Sequence, residues 1–345
     1  MPAFLCITAS RGSLWSLLGS LWCLLGTENT ACKAFIPVNL TPILYHYPMS
    51  PFSEKLRLLL GLLNLKWGSV DVSAQPPRPG LDELVVGYRR IPVLQIGADI
   101  FCDTRIAYDA LMALAPRNQM CGPNTVTAES ALIDFAEGPV FFSAISNVNR
   151  WRGLSFLRSR LGIGGMMTFL ADRYRMMGDA KVQMPSKVEA QKILLEYLGT
   201  LARLLDERPY LDGPNVGYTD LSCYHPLWMT RSLDPMAMKR WPETVRDWFN
   251  RVGGQGHGEH RHITQKEIEK IINESTPKPL PRMVDSDFAY GQIVTVAPND
   301  YACEAVRGLL LCASEKSIVV LNTLASGREV HLHFPVKGFS ILFDK

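Results

Sequence analysis

The chain has 345 residues, of which 47% are apolar and 20% charged, and its formal net charge is +3. That length allows two or three domains with their own cores, and the near-neutral charge excludes a broad basic surface for nucleic acid. Eight cysteines without a CxxC exclude a disulfide framework and a zinc-ligand spacing, and point to reduced thiols in a cytoplasmic protein.

Residues 1–40 form an apolar N-terminal extension whose core, SLWSLLGSLWCLLG (13–26), carries no charge. It is shorter than the ~20 residues a membrane span needs. Three readings stay open: a signal-peptide core flanked by Arg11, an anchoring helix, or an extension outside the folded protein. A membrane partner, or a secretory location, is expected only if 13–26 acts as such a segment.

From Thr41 the elements are regular. Residues 43–47 read as a strand, and 53–65 as a helix with Leu56, Leu59, Leu60 and Leu63 on one stripe. Residues 66–72 read as a second strand, QPPRPG (75–80) as a loop and 81–86 as a short helix. IPVLQI (91–96) and 100–102 form a hairpin around GAD (97–99), and Asp103-Thr104 starts another helix. The order β-α-β-(α)-β-β-α predicts a small mixed sheet with helices packed on it.

After MCGPNT (120–125) helical periodicity takes over. Helices are predicted over 128–148, 156–177, 187–207, 219–232 and 242–252, with Trp151, Trp228, Trp241 and Trp248 as core residues. HGEHRH (257–262) reads as a solvated loop rather than a metal site, because no acidic or cysteine partner fixes its histidines. TPKPLPRMV (276–284) is a proline-rich linker. Residues 285–345 alternate apolar and polar positions between turn residues, which predicts a small β-barrel or β-sandwich.

Four motifs in this order resemble the glutathione S-transferase family over roughly residues 41–255. SPFS (50–53) stands where thioredoxin-like proteins carry CxxC and where some transferase classes carry a catalytic serine or cysteine. Ile91-Pro92 stands at the family's cis-proline. Asp103-Thr104 matches its acidic residue and serine at the start of the third helix. VGYTDLSCYHPLW (216–228) is similar to its S-x-x-D helix start, with Gly217 in place of the serine and Asp220 as the acid. The resemblance implies a thioredoxin-like α/β domain (41–116) and an all-α transferase C-terminal bundle (125–275), followed here by the linker and a small all-β domain (285–345).

It also implies a glutathione-dependent transferase that detoxifies a small apolar electrophile, glutathione being the co-substrate, with no metal, no nucleic acid and a homodimer as the assembly. A free thiol has a pKa of about 8.5, and lowering it by ~2 units takes about 2.7 kcal/mol. A hydrogen bond to a charged group supplies about 1.5–3 kcal/mol, and a helix N-terminus adds to it. Ser50, followed by proline, fits both a plain helix cap and a hydroxyl that contacts the thiolate. Tyr47 is the reserve. Ser53, one turn into the helix, is a poorer candidate.

The expected glutathione contacts are Ser50, Phe52, Ile91, Pro92, Asp103 and Thr104. Asp103 is suited to the γ-glutamyl ammonium, and Thr104 with the helix start to its carboxylate. Arg89 and Arg90 read as solvated surface, Asp220 and Cys102 as structural. Phe141, Phe142, Met166 and Met167 fit either core packing or an acceptor pocket. A transferase-fold interaction protein that binds a partner through its C-terminal strands is the alternative function.

Overall fold

The computed structural model describes residues 40–115, 130–178, 180–280 and 290–344. The apolar stretch 13–26, the 120–125 junction and the end of the proline-rich linker lie outside the described residues. The first region runs β1 (Ile43–His46), α1 (Pro51–Leu62), β2 (Trp67–Asp71), α2 (Leu81–Leu84), β3 (Val93–Ile96), β4 (Asp99–Cys102) and α3 (Thr104–Met112). β1 pairs parallel with β2 and antiparallel with β3, which pairs antiparallel with β4. This is the thioredoxin-like arrangement expected from the sequence.

Strand alternation divides the side chains between two cores. Leu44, Leu94, Ile96 and Phe101 face α1, α3 and the helical region, together with Leu56, Leu59, Leu60 and Leu63 of the α1 stripe. Ile43, Tyr45, Val93, Ile100 and Cys102 face the opposite way, against α2 and the C-terminal strands. Cys102 is therefore a core residue, and burial pushes its thiol far above the usual range.

The helical region contains α4 (Ser130–Phe135), a π-turn (Ala136–Val140), α5 (Phe141–Ser146), α6 (Arg150–Gly178), α7 (Lys187–Leu205), α8 (Tyr218–Leu233) and α9 (Glu243–Gly253). The single helix expected over 128–148 is interrupted because Pro139 lacks an N–H, and the wider turn absorbs the missing bond. Ser186 and Glu189 form a capping box at the start of α7. α6 buries no residue fully and breaks at Gly162, where φ is +70°. Trp151 on α6 is 74% exposed, which corrects its expected core position, whereas Trp241 and Trp248 are buried.

Asp220 at the start of α8 is fully buried and accepts from the backbone N–H of Leu211, Asp212 and Gly217 and from Trp248 Nε1. The glycine at 217 has a local cause. Asp212 Oδ2 accepts from Thr219 N–H, the bond a serine cap would make, and a Cβ at 217 would collide with that carboxylate.

The C-terminal strands depart from the expected barrel or sandwich. β5 (His260–His262) adds to the outer edge of β2, and α10 (Gln265–Glu274) follows it. The second half of the histidine-rich stretch, 260–262, is thus an exposed edge strand, whereas 257–259 is a loop as expected. β6 (Ile293–Pro298), β7 (Val306–Ala313), β8 (Ser317–Thr323), β9 (Glu329–Pro335) and β10 (Phe339–Phe343) form an antiparallel run in the order β10-β6-β7-β8-β9. β9 then pairs parallel with β4, so all ten strands belong to one open sheet. The physical reason is burial. Val330, Leu332 and Phe334 join α2, α10 and the underside of the N-terminal strands in one core, which a closed barrel would keep to itself. Among the described residues, no helix is long and apolar enough to cross a membrane.

Candidate functional site

β1 ends at a turn in which Tyr47 C=O accepts from Ser50 N–H at 3.1 Å. Arg57, in the second turn of α1, braces this turn: its guanidinium reaches the carbonyls of Tyr47 and Pro48 and pairs with the buried Glu54 carboxylate at 2.7 Å. Pro51 then opens α1, and Ser50 Oγ accepts from Ser53 N–H at 3.1 Å. The cap uses a lone pair of the Ser50 hydroxyl, which leaves its hydrogen to donate elsewhere. Ser50 is 1% exposed and lines a cavity of about 770 Å³ between the sheet and the helical region. Tyr47 lines the same cavity, while Ser53 is fully buried and its Oγ has no partner.

This cavity is mostly apolar. Phe141, Phe142, Trp228 and the inner side of α6 form its far wall. Met166 and Met167 are not among its lining residues, and Met176, Met177 and Met184 take that position. Arg78 brings in a positive charge that sequence reasoning missed. The residue is 3% exposed, its guanidinium donates to the carbonyls of Ser73, Ala74 and Arg89, and among the described residues none of its side-chain bonds is to a carboxylate. Burial lowers its pKa to about 10, still well above neutrality.

A second cavity, of about 210 Å³, lies beyond Phe52 and Ile91 and is lined by Pro92, Asp103, Thr104, Arg105 and Glu137. Phe52, Arg90, Ile91 and Tyr301 border both spaces. The Ile91-Pro92 peptide is cis. Asp103 caps α3, accepting from Arg105 N–H at 2.9 Å, and holds φ at +113°, a backbone state that costs a non-glycine residue about 1–3 kcal/mol. Burial raises its carboxyl pKa.

Beneath this cavity lies a charged network that the sequence did not reveal. Lys55, 1% exposed, donates to Thr104 Oγ1 at 3.1 Å, Glu137 Oε1 at 2.5 Å and Tyr218 OH at 3.2 Å. The same Glu137 oxygen accepts from Ser222 Oγ at 2.8 Å. Burial opposes the Glu137 charge, but Lys55 and Arg105 outweigh it and hold the carboxyl at about 2. Lys55 lies at a polar position of an otherwise leucine-rich helix, and only the fold shows that it points into the protein. Glu137 is delivered by the π-turn, which no periodicity marks.

The expected solvated face at Arg89 and Arg90 is corrected. Their side chains are 11% and 14% exposed. Arg89 pairs with Asp172 and Glu304, each at 2.5 Å. Arg90 pairs with Asp300, donates to Tyr301 C=O and lies 4.3 Å from the centre of the Tyr301 ring. The β6–β7 connection thus reaches back from the C-terminal strands to form the partition between the two cavities.

Residues 44–119 match the family described as glutathione S-transferase, N-terminal domain. A solved GST-like protein from Pseudomonas syringae is 28% identical, with a TM-score of 0.71 over 88% of this chain and 100% of the other. That share exceeds the first 275 residues, so the likeness runs into the C-terminal strands. Glutathione transferase GSTFuA3 from Phanerochaete chrysosporium aligns at 19% identity over 62% of this chain and 97% of its own, with a TM-score of 0.47. A glutathione S-transferase from Rhodospirillum rubrum aligns at 17% identity over 62% of this chain and 88% of its own, with a TM-score of 0.44. No curated protein matches the chain.

Proposed function

From the match of residues 44–119 to the glutathione S-transferase N-terminal domain and the likeness to a solved GST-like protein, we propose that the chain is a glutathione S-transferase that binds glutathione and joins its sulfur to a small apolar electrophile. The observation that carries this reading is the adjacency of the two cavities. A peptide whose charged end occupies the polar space and whose thiol occupies the apolar one passes between Phe52 and Ile91.

Asp103 takes the γ-glutamyl ammonium, while Thr104 and the start of α3 take the adjacent carboxylate. Ile91, beside Pro92, pairs through its backbone with the cysteinyl unit. Arg78 offers its charge to the glycyl carboxylate, because Arg89 and Arg90 are already matched by protein carboxylates. Ser50 donates its free hydroxyl hydrogen to the thiolate, which also lies at the positive end of α1. The thiolate then attacks the electrophile. A sulfur–carbon bond forms as the bond from that carbon to a leaving group breaks and its electron pair departs with the leaving group; for an activated double bond, the π pair moves to the neighbouring atom, which then takes a proton from water. Such a reaction detoxifies electrophiles in the cytoplasm, a setting consistent with the free cysteines at 102, 223, 303 and 312.

Calorimetry with millimolar glutathione on wild type and Ser50→Ala tests this. Binding is expected in both proteins, with conjugation slowed by roughly 10- to 150-fold in the variant. No heat of binding, together with unchanged conjugation in the variant, sinks the proposal. A homodimer belongs to the same reading, and sedimentation checks it.

The second reading, a non-catalytic interaction protein, is favoured by β10. It is the outer strand of the sheet, and its Leu342 is 66% exposed. An open edge of this kind accepts an extended peptide strand from a partner. Partner capture that depends on β10, without any conjugating activity, supports that reading over the first.

A further inference from the structure

The junction between β4 and β9 holds a cluster that neither the family resemblance nor the proposed transferase site uses. Asp99 on β4 stands in register with His331 on β9, and His333, two residues on, points to the same face. His333 Nε2 is 2.8 Å and His331 Nδ1 is 3.7 Å from Asp99 Oδ1. One ligand atom from each residue lies within 4.8 Å of the others, and among the described residues this is the group of three such side chains that converges.

Asp99 is 2% exposed, and His331 and His333 keep 15% and 12% of their side chains open to solvent. A hydrogen-bonded structural pair needs one histidine. Here His331 Nδ1 is buried, is directed toward the same carboxylate and, among the described residues, has no hydrogen-bond partner. The surroundings also hold the ligands in place. Lys278 N–H donates to Asp99 Oδ2 at 2.9 Å, turning Oδ1 toward the histidines. Phe101 stacks on the His333 ring at 4.6 Å. Outer contacts of this kind orient ligands in metal sites.

We propose that Asp99, His331 and His333 form a binding site for a divalent transition-metal ion of the zinc class, which clamps the C-terminal strands to the thioredoxin-like sheet. Two imidazoles and one carboxylate are a known zinc donor set, with bonds of about 2.0–2.2 Å and ligand atoms consequently ~3.3 Å apart in a tetrahedron. The two separations from Asp99, 2.8 and 3.7 Å, lie on either side of that value, and all three ligand atoms lie within 4.8 Å of one another, so side-chain adjustment is what completes the site. A water would take the fourth position. This assignment departs from the expectation of no metal, which weighed only the histidines at 257, 260 and 262.

The test uses the full, tag-free chain stripped with chelator and titrated with zinc, followed by calorimetry and thermal melting. One equivalent is expected to bind and to raise the melting temperature. His331→Gln removes the nitrogen that has no partner. It should melt like wild type in chelator, bind zinc at least ~10-fold more weakly and lose most of the zinc-dependent shift. His260→Ala/His262→Ala should bind like wild type. The proposal is overturned if wild type does not bind zinc, if His331→Gln binds it undiminished, or if the β5 double variant is the one that loses binding.

Discussion

The two cavities beside α1 are built on opposite physical plans. The small one is walled by charges of both signs, most of them paired: Arg105 with Glu137 and Asp134, Arg90 with Asp300 and Lys337 with Asp134, while Asp103 is held by the Arg105 N–H and Lys55 pairs with Glu137 beneath. The large one is walled mostly by aromatic and aliphatic side chains, and its charged lining residues are all arginines, among them the buried Arg78, bonded to backbone carbonyls. A space of fixed charges recognises one ligand geometry, because a misplaced group leaves buried polar atoms unpaired. An apolar space accepts many shapes, because dispersion and hydrophobic contacts carry no direction. That contrast suits the proposed pairing of one constant co-substrate with variable acceptors.

Lys55→Met breaks the polar side most severely. It leaves the Glu137 carboxylate without its main counter-charge, and the loss expected in chemical denaturation is about 3–5 kcal/mol. Acid titration examines the same pair. Glu137 titrates at about 2 in the folded protein and near ~4.5 when unfolded, so its contribution is complete above pH ~4.5 and disappears as pH falls toward 2. The full contribution is about 3 kcal/mol at most. Melting curves of wild type should decline through that window, whereas Glu137→Gln should start lower at neutral pH and show a flatter acid slope.

Ser50→Ala acts at the border. Loss of a hydrogen bond to a charged sulfur is worth about 1.5–3 kcal/mol, so conjugation should slow by roughly 10- to 150-fold, with about 1 kcal/mol of stability lost from the cap. Glutathione affinity should change little. If Tyr47→Phe produces that loss instead, the reserve hydroxyl is the one that contacts sulfur. Arg78→Gln should weaken glutathione binding by about tenfold in calorimetry, the lower end of the range for a charged hydrogen bond. Leu170→Ser, on the α6 wall, should have the smallest effect. The acceptor KM should rise a few-fold, while glutathione affinity and stability stay within about 0.5 kcal/mol of wild type.

The legible parts of the site share one property: each is a local signal. Ser50-Pro51 is a cap followed by a first-turn proline, and Asp103-Thr104 is another helix start. The leucine stripe of α1 shows which face is buried. Lys55 and Glu137 are 82 positions apart, and a lysine within a leucine-rich helix reads as solvated until the bundle covers it. The Gly217 departure was visible without its cause, because Asp212, which takes over the capping bond, lies outside the motif.

The β-rich character of the C-terminal region was likewise plain from alternation, which is a property of single strands. Pairing is not. Each strand carries the same unsatisfied backbone groups at both edges, so nothing local says whether β9 closes a barrel or joins β4. Sequence by itself determined the order of elements, the helix starts and the thioredoxin-like plan, because these follow from side-chain periodicity and capping within a few residues. Tertiary structure alone decided that one sheet runs through both ends of the chain, that Tyr301 separates two cavities and that Asp99 meets His331 and His333. Those outcomes depend on which apolar faces are buried together, a choice made among distant segments.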